Sequence, residues 1–79
     1  MSAFVMISCE EEYDVSIEGI LRDIPEIKEI QHTTGRYDVI VKIESPSTES
    51  LREIISLKIR KISKVRSTTT LISSPILVF

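Results

Sequence analysis

The stretch His32-Thr33-Thr34-Gly35-Arg36-Tyr37-Asp38 concentrates groups able to hold a small polar ligand. A free amino acid presents an ammonium and a carboxylate on one carbon. Asp38 can accept from the ammonium, and Gly35, lacking Cβ, lets backbone N–H groups approach the carboxylate. Arg36 or a threonine hydroxyl adds donors, and Thr68-Thr69-Thr70 carries more of them. The same residues also make an ordinary hairpin. Gly35 then supplies a positive φ, Tyr37 packs, Asp38 accepts backbone hydrogen bonds, and the threonines are plain β-formers. Residue chemistry alone leaves both readings open.

Other chemistry is sparse. There is no phosphate-cradling glycine motif. His32 is the only histidine, and it has no placed acid beside a nucleophile. Consecutive Glu10-Glu11-Glu12 side chains point apart, as in a solvated loop, so no metal site is expected. Cys9 is the only cysteine and reads as a small strand-end residue. No cofactor and no enzymatic activity are expected.

These groups must be positioned by a chain of 79 residues, near the lower limit for an independent core. Such domains use disulfides, a metal or a partner subunit. One cysteine and no metal-ligand spacing leave oligomerisation. The composition is globular, 42% hydrophobic and 28% charged. No run approaches a membrane span, and the start lacks the charged region of a signal peptide, so a cytoplasmic location is expected.

Net charge is −2 but uneven. Lys58, Arg60, Lys61, Lys64 and Arg66 follow the last acid, Glu53. Without stacking aromatics beside them, they read as a solvated helix end, and direct DNA binding is not expected.

The pattern predicts β-α-β-β-α-β. Residues 3–8 are apolar at nearly every position, a strand expected to be buried on both faces. Asp14 caps a helix with the stripe Ile17, Ile20, Leu21 and Ile24, ended by Pro25. In the next strand Ile27 and Ile30 fall on opposite faces by simple alternation. After Gly35, Tyr37, Val39, Val41 and Ile43 point one way, and Asp38, Ile40, Lys42 and Glu44 the other. Ser47, or the competing box Ser50-x-x-Glu53, opens a second helix carrying Leu51, Ile54, Ile55, Ile59 and Ile62. A last strand runs from Val65 to Ser73. Residues 1–74 form the domain, and the apolar tail 75–79 is expected to dock as an edge strand or subunit contact.

A split pair of βαβ units with right-handed crossovers gives an α+β, ferredoxin-like sandwich. Its antiparallel sheet has strand order 4-1-3-2 and two helices on one face. The other face is bare and exposes apolar groups, so a dimer at least is expected. In that order the first strand separates the threonines from the Asp38 strand. They meet across it or between subunits.

Thr33–Glu44, with Leu51–Leu71, resembles the effector (RAM) domain of the Lrp/AsnC family of amino-acid-responsive transcription regulators. The specific parts are G-x-Y-D at Gly35, Tyr37 and Asp38, the K-I-R-K-I run, and the R-S-T-x-T strand. The resemblance implies a ferredoxin-like fold, dimerisation through the sheets, and rings of dimers. It also implies amino acids held between dimers by Gly35, Tyr37 and Asp38, with Thr68 and Thr70. Arg36 occupies the unspecified position. Typical members carry a helix-turn-helix domain ahead of this module. The chain therefore resembles a stand-alone type, found chiefly in archaea, expected to sense an amino acid. A module purely for assembly with full-length Lrp/AsnC regulators is the alternative.

Overall fold

The computed structural model describes residues 1–72. The expected strand end at Ser73 and the apolar tail at 75–79 lie outside them. The elements are β1 (Ser2–Cys9), α1 (Val15–Arg22), β2 (Ile27–His32), β3 (Val39–Glu44), α2 (Thr48–Ile54) and β4 (Val65–Ile72). A π-helical turn over Ile55–Ile59 continues α2. The four strands form one antiparallel sheet in the order β2-β3-β1-β4, matching the expected 4-1-3-2.

Alternation decides which face carries the core. Ala3, Val5, Ile7 and Cys9 of β1 join Val39, Val41 and Ile43 of β3 beneath the helices. Ile17 and Leu21 of α1, with Leu51 and Ile54 of α2, close over them. β1 is thus buried on one face of this chain, not on both. Phe4, between Val5 and Ala3, is 40% exposed. Two-faced burial of β1 requires something against the other side of the sheet.

Two further expectations change for local reasons. Ile20 is 47% exposed, because it lies about 60° from Ile17 on the side away from Leu21. Ile27 and Ile30 share a face. Ile27 is opposite Ile43, Glu29 opposite Lys42 and Ile30 opposite Val41, so Lys28 is an extra residue in β2. That bulge restores Ile30 to the core side, where both isoleucines pack.

Both helices start on a side-chain cap. Ser47 Oγ accepts from Ser50 N–H at 3.1 Å, which decides between the competing caps in favour of Ser47. Asp14 Oδ1 accepts from Ser16 N–H at 3.1 Å and Ile17 N–H at 3.0 Å, and its Oδ2 meets Lys64 Nζ at 3.0 Å. The Ser16 hydroxyl, the Ile17 amide and Lys64, in that order, hold its carboxyl well below the usual carboxylate range. Glu26 is lowered in the same direction, chiefly by Lys58.

A carboxyl with a depressed folded-state pKa contributes stability above its unfolded pKa. That contribution is lost as pH falls through the folded value. The thermal midpoint is therefore expected to decline on acidification below about pH 4. Asp14→Asn keeps the cap acceptor but removes the charge. A midpoint titration should show a shallower acid decline for this variant, and an unchanged slope would remove Asp14 from the account.

Candidate ligand-binding site

The β2–β3 connection is a loop from Thr33 to Asp38, longer than a tight hairpin, and it is pinned at several points. Thr33 N–H donates to the Asp38 carbonyl at 3.0 Å, and Thr33 Oγ1 to the Tyr37 carbonyl at 2.8 Å. Asp38 N–H donates to Ile7 O at 2.9 Å. Gly35 has φ 106°, a conformation in which a Cβ is strained.

Asp38 does structural work as well. Its Oδ2 accepts from Cys9 N–H at 2.7 Å, tying the loop to the end of β1. Its Oδ1 has no hydrogen-bond partner among the described residues, so one carboxylate oxygen remains available.

Tyr37 departs from the expected pattern. β3 begins only at Val39, and Tyr37 does not continue its inward row. Tyr37 Oη lies 3.2 Å from Thr69 Oγ1. Thr69 is opposite Met6, on the open face of the sheet. The turn therefore meets the threonine strand across β1 within one chain, through the middle threonine. Arg36 sits 6.0 Å from the Tyr37 ring centroid, in reach of a cation–π contact.

Two open grooves flank β4. One, of about 440 Å³, is lined by Ser8, Arg36, Tyr37, Arg66, Ser67 and Thr69 on the open face. The other, of about 420 Å³, lies between β4 and the second helix and includes Thr68, Thr70, Arg52 and Arg60. Of the six residues singled out from the sequence, Arg36 and Tyr37 share the first groove. Gly35 and Asp38 shape the loop beside it. Thr68 and Thr70, opposite Ile7 and Val5, face the helix side instead. Ser8, Ser67 and Arg66 line the first groove without having been marked by the sequence, and of the threonine run it is Thr69 that joins them. Three consecutive threonines do not reveal which of them face a given side.

The remaining reactive groups have quieter settings. Cys9 is fully buried, and burial first, then Asp38 and Asp14, push its thiol pKa up. It is a poor nucleophile there. His32 is exposed, and its ring lies 4.9 Å from that of Tyr13, tilted by 44°. Burial, followed by Glu18, pushes the Tyr13 phenol up to about 12. No described helix is long and apolar enough to cross a membrane.

The family model for the Lrp/AsnC ligand binding domain matches residues 2–77. The chain belongs to this family. Among Lrp/AsnC relatives, the HTH-type transcriptional regulator FL11 of Pyrococcus horikoshii is 35% identical over 72 residues, covering 91% of this chain and 47% of the regulator. Regulatory protein AsnC of Haemophilus influenzae is 31% identical, covering 92% and 49%. The chain thus spans about half the length of these Lrp/AsnC regulators. A homocitrate synthase of Sulfurisphaera tokodaii is 34% identical over 71 residues, covering 89% of this chain but 15% of the synthase. Of solved structures, FFRP-DM1 superposes with a TM-score of 0.86 at 32% identity, covering 92% of this chain and 97% of that one. Escherichia coli AsnC gives 0.84 at 28%, covering 99% and 54%. These Lrp/AsnC neighbours share the ferredoxin-like arrangement described above.

Proposed function

We propose that the chain is an amino-acid-sensing and oligomer-forming module that modulates transcription of amino-acid metabolism, with its effector held between copies. One observation carries this reading. Within a single chain, Arg36 and Tyr37 lie over the open face, and Thr68 and Thr70 lie on the helix side. A pocket that uses both sets is assembled from two copies, which links occupancy to assembly. In it, the available Asp38 oxygen takes the ammonium. The loop amides around Gly35, with Arg36, Thr68 and Thr70, take the carboxylate.

The family supports sensing over catalysis. The same module is matched within an HTH-type regulator and within a short part of a far longer enzyme. A transcriptional regulator from Neisseria meningitidis with this fold is known as an L-Met complex, which makes amino acids the first ligands to test.

A thermal-shift panel of the common amino acids tests the proposal. A ligand at 100 times its dissociation constant adds ~2.7 kcal/mol if it binds only the folded state. Thr68→Val and Thr70→Val remove a hydroxyl at nearly constant shape, and each should shrink the shift. A flat panel would reject amino-acid sensing. It would favour the second reading, a purely structural module that co-assembles with full-length Lrp/AsnC regulators. The apolar groups on the open sheet face speak for that alternative.

A further inference from the structure

The groove on the open face has a character that amino-acid binding does not explain. Its two charged residues, Arg36 and Arg66, are both cationic, and its floor carries the hydroxyl-bearing Ser8, Ser67 and Thr69. No acid lines it. Neither arginine has a carboxylate oxygen within 4.0 Å among the described residues. By contrast, Lys58 and Lys64 of the same basic cluster are paired with Glu26 and Asp14.

The two guanidiniums are placed by built features. Ser67 is opposite Ser8, but Val65 is opposite Cys9, which makes Arg66 the extra residue of a β-bulge. Bulges re-aim a side chain out of the regular alternation, and they are enriched beside functional sites. Arg66 Nη2 donates to Cys9 O at 3.1 Å, which fixes one nitrogen and leaves the rest of the fork. Arg36 is held near the Tyr37 ring, and Tyr37 is itself anchored on Thr69. Asp38 shares Cys9 with Arg66 as a partner, but its Oδ2 is taken by the Cys9 N–H, and it does not line the groove.

Two like charges brought to one groove repel unless an anion lies between them. Guanidinium forks match the planar or tetrahedral oxygens of carboxylate and phosphate, and hydroxyls complete their coordination. We infer that this groove is a binding site for a small oxyanion, a carboxylate- or phosphate-bearing metabolite, held by Arg36 and Arg66 with Ser8, Ser67 and Thr69. The site uses neither Asp38 nor Thr68 nor Thr70. It shares Arg36 and Tyr37 with the proposed amino-acid pocket and differs from it in drawing on Arg66, Ser8, Ser67 and Thr69.

Amide NMR titration with inorganic phosphate, and separately with succinate, tests the site, with ionic strength held constant by sodium chloride. Saturable shifts centred on Ser8, Arg66 and Ser67 are expected. The tighter of the two anions identifies the group recognised. Arg66→Gln also loses the contact to Cys9 O, so Arg36→Gln is the decisive variant. It should weaken binding at least tenfold, while Arg52→Gln in the other groove and Thr68→Val leave it unchanged. Shifts that never saturate with either anion would overturn the site. So would equal weakening by Arg52→Gln or Thr68→Val.

Discussion

Ile40→Glu is expected to leave the fold intact and to reduce the particle to a monomer. In the open face, Lys42 and Leu71 flank Phe4, and Ile40 and Thr69 flank Met6. Phe4, Met6, Ile40 and Leu71 thus form a continuous apolar centre bordered by Glu29, Lys42, Ser8 and Ser67. Phe4 is 40% exposed and Leu71 58%. Soluble monomers seldom leave such a group in water, and a second sheet is the complement that satisfies its shape. In a two-fold pair the same patch serves both copies, so each substitution counts twice. A desolvated carboxylate costing about 3 kcal/mol per copy weakens the pair by about four orders of magnitude. Ile40 points away from the monomer core, so the circular dichroism spectrum should be retained. Light scattering that shows an unchanged mass would place the contact elsewhere.

Asp38→Ala should fail in two ways that Asp38→Asn separates. The alanine variant leaves the part-buried Cys9 N–H without its acceptor, at a cost of about 1–3 kcal/mol. At about 4–8 °C per kcal/mol in a domain this small, the thermal midpoint should fall visibly. It should also lose its response to the effector. The asparagine variant keeps an oxygen for Cys9 N–H but has no charge for an ammonium, so it should stay near wild-type stability and still lose the response. An asparagine variant with a full ligand shift would reject Asp38 as the anchor. An alanine variant with an unchanged midpoint would reject its part in holding the loop.

Features governed by local spacing were legible from the sequence. Asp14 and Ser47 cap the helices, Val39, Val41 and Ile43 alternate inward, and two split βαβ units give the sheet its order. What escaped depends on pairing between distant strands. Lys28 and Arg66 became bulge residues because of the partners opposite them, and each reverses the alternation that counting implies. Alternation alone places Tyr37 in the inward row, but β3 starts at Val39, where Asp38 N–H bonds to Ile7 O, and no nearby breaker signals that start. The π-helical turn escaped for another reason. Ile55, Ile59 and Ile62 fit an α-helical stripe well enough that nothing signals a wider turn. Gly35 and Asp38 were visible as candidates, while Thr69 and Arg66 needed the register.

The order of the sheet also governs the order of events during synthesis. β1 is made first, yet it lies in the interior of the sheet and its partners β3 and β4 come later. Val5 waits for Thr70, nearly the whole described chain away. Neither edge of this almost entirely apolar strand is satisfied until β3 emerges, and one edge stays open until β4 does. Topologies dominated by such distant pairings fold slowly, because loop-closure entropy is lost before any contact compensates it. The nascent domain therefore carries an aggregation-prone segment until β4 emerges, and of its four strands the one that appears first is completed last.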